Sequence, residues 1–184
     1  QWLSLESAIN RIIGYTLTTG ITQELIKYLL IRFVVRSSVY RIRADVMAYS
    51  LAVAVGYSTM LSLNYLRMTP DVLPDMLMLR VVTFYAMNLA GSAVLSYGLM
   101  ELYLGSGSVW LLPITLVVAS VITGIAMPLR SGLVNIQLTL AGGLSRTLYG
   151  VGFALALMIV PQVIVAFLYG VSERRERDRL RGDL

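Results

Sequence analysis

Two ionisable residues sit where a membrane-spanning sequence has least reason to keep them. Glu24 and Lys27 lie in Thr22-Gln23-Glu24-Leu25-Ile26-Lys27-Tyr28, within an apolar stretch from about residue 7 to residue 35. Glu24 precedes Arg36 by 12 residues, roughly 18 Å of helix, which puts it near mid-bilayer. An ionisable group at that depth costs about 2.5–3.5 kcal/mol on insertion scales and is a functional-site hypothesis by default. Lys27 follows at i+3 on the same helical face, so the two can pair. The spacing leaves two readings open: a neutralised pair that locks helix packing, or a reactive carboxylate. Peptide hydrolysis by a carboxylate needs a second group to hold water and protonate the leaving amine, and a carboxylate paired with lysine is a poor proton donor.

The composition decides which partners such a carboxylate can have. The 184 residues include no cysteine and no histidine. That excludes disulfides, thiolate nucleophiles, Ser-His dyads and His- or Cys-ligated metals, and with them the zinc and serine classes of intramembrane protease. No metal or other cofactor is expected. Hydrophobic residues make up 57% and charged residues 14%, against about 25% charge in a soluble domain, and mean hydropathy is +0.75. The chain reads as all-α, a polytopic transmembrane helix bundle with about five crossings. Its net charge of +5 reflects clusters at the ends of apolar runs rather than a nucleic-acid surface. The lipid bilayer is the first expected partner. The chain begins at Gln1 rather than Met, which reads as a processed or trimmed chain with room for helices upstream.

The elements that must position Glu24 follow from the apolar runs. Crossings are expected over about 7–35, 44–66, 79–104, 109–129 and 147–171, followed by an arginine-rich tail, 172–184. The connector 36–43 is basic, Asp45 stands at the edge of the second run, and 67–78 holds Pro70, Asp71, Pro74 and Asp75, read as turn and helix-capping signals. Gly105-Ser106-Gly107-Ser108 is a tight turn, and 130–146 a Gly-rich interfacial or loop stretch with Gly132, Gly142 and Gly143. With the tail in the cytoplasm, five crossings place the 36–43 connector there too, as the positive-inside rule asks. Arg130 and Arg146 fall on the opposite side. Small residues recur every four positions: Ala48, Ala52 and Gly56; Ser120 and Gly124; Gly150 and Ala154. Such faces allow close helix approach, expected inside the bundle, with docking of another subunit as the sharper reading.

One stretch resembles a known family. Gln23-Glu24-x-x-Lys27-Tyr28, a basic connector, then a small-residue-rich helix with Gly56-Tyr57-Ser58 and Asn64-Tyr65-Leu66, looks like the PrsW family of glutamic-type intramembrane proteases, relatives of the CAAX-processing proteases. The resemblance covers roughly residues 14–100. The family pattern has Glu-Glu-x-x-Lys, a Gly-led stretch leading to Glu-Asn, and an Arg followed by a His. Here Glu24, Lys27 and Arg80 match. Gln23 replaces the first Glu, Leu61 and Ser62 stand at the Glu-Asn positions, and Asn88 falls where the His is expected. The resemblance therefore implies a PrsW-like fold with a degenerate site, Gln23, Glu24, Lys27, Ser62, Arg80 and Asn88, that keeps hydrogen-bonding capacity without proton transfer.

Other signals are weaker. No Gly-x-Gly-Asp pattern exists for an aspartyl protease, and Gly105-Ser-Gly-Ser lacks the lysine of a P-loop. Trp2 and Trp110 read as interface anchors, the methionines as packing filler. The tail arginines, Arg174, Arg175, Arg177, Arg179 and Arg181, interleave with Glu173, Glu176 and Asp178. They set orientation first and contact anionic headgroups second. The expected function is a non-catalytic subunit of a larger membrane complex, or a pseudoprotease that binds partner transmembrane helices, in a prokaryotic plasma membrane. An active protease using Glu24 and a small transporter or channel are the alternatives.

Overall fold

The computed structural model describes residues 5–34, 40–104, 108–135 and 146–182. Every element among them is helical: α1 (Leu5–Tyr15), a π-helical segment (Thr16–Gly20), α2 (Ile21–Val34), α3 (Arg43–Met68), α4 (Pro74–Tyr103), α5 (Leu111–Asn135) and α6 (Arg146–Gly182). α3, α4, α5 and α6 are each long and apolar enough to cross a membrane. The protein is an all-α bundle of membrane-spanning character.

α4 is the hub, packed by α3, α5 and α6. In its most apolar window 56% is buried, against 22% in α3 and 11% in α6. The reason lies in its side chains. Ala86, Ala90, Gly91, Ser92, Ala93, Ser96 and Gly98 are buried along it, and small residues let neighbouring backbones come close where lipid gives no hydrophobic drive to associate. A Cβ at Gly98 would collide with Thr115 of α5, and one at Gly91 would lie 2.8 Å from Thr123 Oγ1. These two contacts set the antiparallel seam between α4 and α5.

The first expected crossing, 7–35, is one helical run in three parts rather than a uniform α-helix. At its centre Ile21 N–H donates to Thr16 O, an i to i+5 bond. This wider turn meets α5 backbone to backbone: a Cβ on Gly20 would strike Ser120 O, and one on Gly124 would strike Thr16 Cα. Ser120 and Gly124 thus face inward, as do Ala154 and Gly150, the latter against Leu79 of α4.

Two expectations need correction. Ala48, Ala52 and Gly56 do not pack inside the bundle: all three are exposed, and a Cβ on Gly56 would meet nothing within 4 Å. The buried stripe of α3 is Val46, Ser50, Ala54 and Ser58, two residues on and so about 200° around the helix. α3 carries small residues at four-residue spacing on two opposite faces, and the Ser58 hydroxyl, which donates to Phe84 O at 3.3 Å, turns the second one inward. The expected crossing 109–129 agrees with the apolar span Leu111–Arg130, and helix α5 itself runs beyond it. It continues through Pro128 to Asn135, since bundle neighbours can re-satisfy a backbone group freed by proline. Lastly, Asp71 and Asp75 do not cap α4. Leu73 is its N-cap, with no side-chain cap bond, and Pro74 takes the first helical position. It is Asp45 that performs this office, on α3, accepting from the N–H of Arg41 and Ile42 at 2.9 and 3.0 Å.

α6 continues as helix through most of the tail to Gly182, and Trp110 is exposed at the start of α5. Trp2, positions 36–39 of the connector, 105–107 of the uncharged turn and Gly142-Gly143 lie outside the described residues.

Candidate functional site

Glu24 and Lys27 are both wholly buried, with 0% side-chain exposure. The helix repeat brings them together, and Lys27 Nζ donates to Glu24 Oε1 at 2.6 Å. A second donor reaches the same oxygen from across the bundle, Thr123 Oγ1 of α5 at 2.6 Å. Lys27 Nζ also approaches the Asn88 carbonyl of α4 at 3.4 Å. The floor of the site is Gly91, one turn beyond Asn88, where a Cβ would collide with Glu24 Oε1. Glycine here is a matter of space: the carboxylate occupies the volume a side chain would need. Tyr57 of α3 lies within electrostatic range of Glu24.

A buried ion pair is stable only if further hydrogen bonds satisfy its remaining atoms. Here that is half done. Oε1 is doubly engaged, while Glu24 Oε2 has no protein partner among the described residues. Gln23 Oε1, Asn88 Oδ1, Ser92 Oγ and Ser50 Oγ share that condition. The Asn88 amide turns its Nδ2 back to Phe84 O at 2.9 Å. No group of three acidic side chains that could hold a metal ion converges among the described residues.

The expected site set is divided. Glu24, Lys27 and Asn88 come together, and Gln23 is buried beside them in the chain. Ser62 bonds back to Ser58 O at 2.8 Å on its own helix. Arg80, two turns before Asn88 on α4, stacks over Tyr65, its Cζ 4.3 Å from the ring centroid. Thr123 and Gly91 were not singled out from the sequence. A threonine and a glycine in apolar helices carry no local signal, and only the seam between α4 and α5 shows their use.

A second buried carboxylate lies towards the tail. Glu101 is 3% exposed and accepts from Ser172 Oγ of α6 at 2.5 Å. Tyr169 OH, one turn earlier, donates to Ser96 O at 3.3 Å, and its ring lies 6.0 Å from that of Tyr97. This cluster pins α6 to α4 where the tail begins. Nearby, Arg32 Nη1 donates to Tyr103 OH at 2.9 Å, and the Tyr103 ring is 5.2 Å from that of Tyr40.

Glu24 thus lies against the middle of α4 and Glu101 near its C-terminal end, and among the described residues neither pairs with a second carboxylate. The described geometry offers Glu24 a cation and a hydroxyl, and no acid of the kind that divides general acid and base work between two groups. No family model, curated protein or solved structure matches the chain.

Proposed function

We propose that this chain is a non-catalytic, PrsW-like integral membrane protein that works as a structural or accessory subunit of a larger membrane complex, binding partner transmembrane helices. The observation that carries this reading is the Glu24 carboxylate, sealed in the bundle and held on one oxygen by both Lys27 and Thr123. Such a group stabilises helix association; it is not poised to transfer protons. The exposed face of Ala48, Ala52 and Gly56 adds support, because small residues turned to lipid offer a partner helix close approach. The orientation that goes with it puts the C-terminal helix extension in the cytoplasm of a prokaryotic cell.

The experiment is purification of the full chain from its native membrane in mild detergent, with quantitative mass spectrometry of what stays bound. A membrane partner in fixed ratio, lost in Gly56→Leu while the bundle still folds, is the expected result. A wild-type chain that purifies alone overturns the reading.

One observation favours a second reading, an intramembrane protease that uses Glu24: its Oε2 has no protein partner among the described residues and is the atom a base would use on water. Cleavage of a membrane substrate by the wild-type chain, abolished in Glu24→Gln, would establish it.

A further inference from the structure

The end of the bundle away from the tail carries two cations that the Glu24 site does not use. Arg80 is in the second turn of α4 and Arg130 lies in the last part of α5. Their placement follows from the antiparallel seam. Phe84 and Ala126 pack in one cluster. Arg80 lies four residues before Phe84 and Arg130 four after Ala126. On antiparallel helices both therefore stand one turn further along, in the same direction and on the same faces. Their charges are close enough to repel.

Nothing in the described protein answers these charges. Arg80 lies over the Tyr65 ring at 4.3 Å and nearer the edge of Phe84's reach at 5.6 Å. Stacking engages the face of a guanidinium and leaves its in-plane N–H donors for an acceptor. The Nε atoms of both arginines are shut off from solvent and have no hydrogen-bond partner among the described residues. Asp71 and Asp75, the carboxylates of the segment leading into α4, are exposed and pair with neither. Two like charges held together in a half-buried place repel strongly, and an anion with several oxygens between them turns that repulsion into attraction.

We propose that Arg80 and Arg130 form a binding site for a phosphate group, with Tyr65 as the platform that orients the Arg80 fork. Phosphate matches the paired forks because its oxygens accept from two guanidinia at once, each in bidentate fashion. Depth agrees. Arg80 is six residues inside the start of α4 at Pro74, about 9 Å along the axis, which a phospholipid headgroup at the interface can reach. Free inorganic phosphate offers the same chemistry.

The test uses the full chain in mild detergent and two probes, phosphatidylglycerol and inorganic phosphate. Thermal unfolding and native mass spectrometry are read for wild type, Arg130→Gln and Arg130→Lys. A rise in Tm with phosphatidylglycerol alone, and retention of that lipid, identifies a headgroup site. A rise with inorganic phosphate as well identifies a site open to soluble phosphate. In either case Arg130→Gln loses the effect, whereas Arg130→Lys keeps the charge without the fork and binds about tenfold more weakly. The double variant Arg174→Gln/Arg175→Gln, in the tail, leaves binding unchanged. No response to either probe overturns the proposal. So does an undiminished response in a folded Arg130→Gln, since the phosphate would then be held elsewhere.

Discussion

Glu24 shows how much of a buried charge is decided by its surroundings. Removing Lys27 alone leaves an uncompensated carboxylate in the bundle, so Lys27→Met is expected to cost roughly 3–5 kcal/mol, while Glu24→Gln/Lys27→Met together recover most of that loss. Thermal unfolding of the two variants and of Glu24→Gln, read as a double-mutant cycle, measures the coupling. Additivity would show that the pair is not an interacting unit. The pairing itself was legible in the sequence, because a three-residue helical spacing is a local geometric fact. Thr123 was not, since it comes from 99 positions along the chain and nothing near it announces a carboxylate. At the tail side, burial among Tyr103 and Tyr49 pushes the Tyr40 hydroxyl up to about 12, burial being the main cause and the neighbouring rings the lesser one. A raised folded-state value means that the unfolded chain ionises first. The stability this residue contributes is therefore complete below about pH 10 and is lost as pH rises through 12. Tyr40→Phe should flatten the alkaline fall in Tm over that window; an unchanged slope would assign the fall to other groups.

Among the elements, α3 is the instructive case. Its sequence holds two stripes of small residues at the same spacing, and periodicity alone cannot choose between opposite faces. The hydroxyl of Ser58, bonded to Phe84 O of the hub, and the burial of Ala54 show which face is turned inward. The run around Glu24 was read as a single crossing for a similar reason: a π-helical turn differs from an α-helical one by one hydrogen-bond step, and Thr16-Leu17-Thr18-Thr19-Gly20 carries no signal for it. That turn rests on two glycines that let backbones touch. Gly20→Ala and Gly124→Ala are each expected to destabilise by about 1–3 kcal/mol, as overpacking does, and to raise amide exchange across residues 16–20. Gly56→Ala, where a Cβ has open space, should be neutral or slightly stabilising in the isolated chain. Equal effects at Gly56 and Gly124 would contradict the assigned faces.

For the molecule as a whole, hydropathy and the two basic clusters were enough to read a helical membrane bundle, while the order of burial was not, because every long helix is apolar. Among the described residues α4 has the most buried small side chains and becomes the hub, and α6 stays outermost despite being the most hydrophobic. The absence of cysteine makes the proposed orientation easy to check. Single-cysteine variants Asp71→Cys and Asp178→Cys, labelled in intact cells with a membrane-impermeant thiol reagent, should react only at position 71, and at position 178 after permeabilisation. The reverse pattern would invert the bundle. The outermost helix has one more property. The bond from Ser172 to Glu101 clamps it where it leaves the bundle, and the stretch from Glu173 to Gly182 adds roughly 15 Å of rod. Over that distance a helix bends little, so the projection is a gauge as much as a tail: whatever grips its far end is held at one height and bearing, and torque applied there arrives first at Ser172.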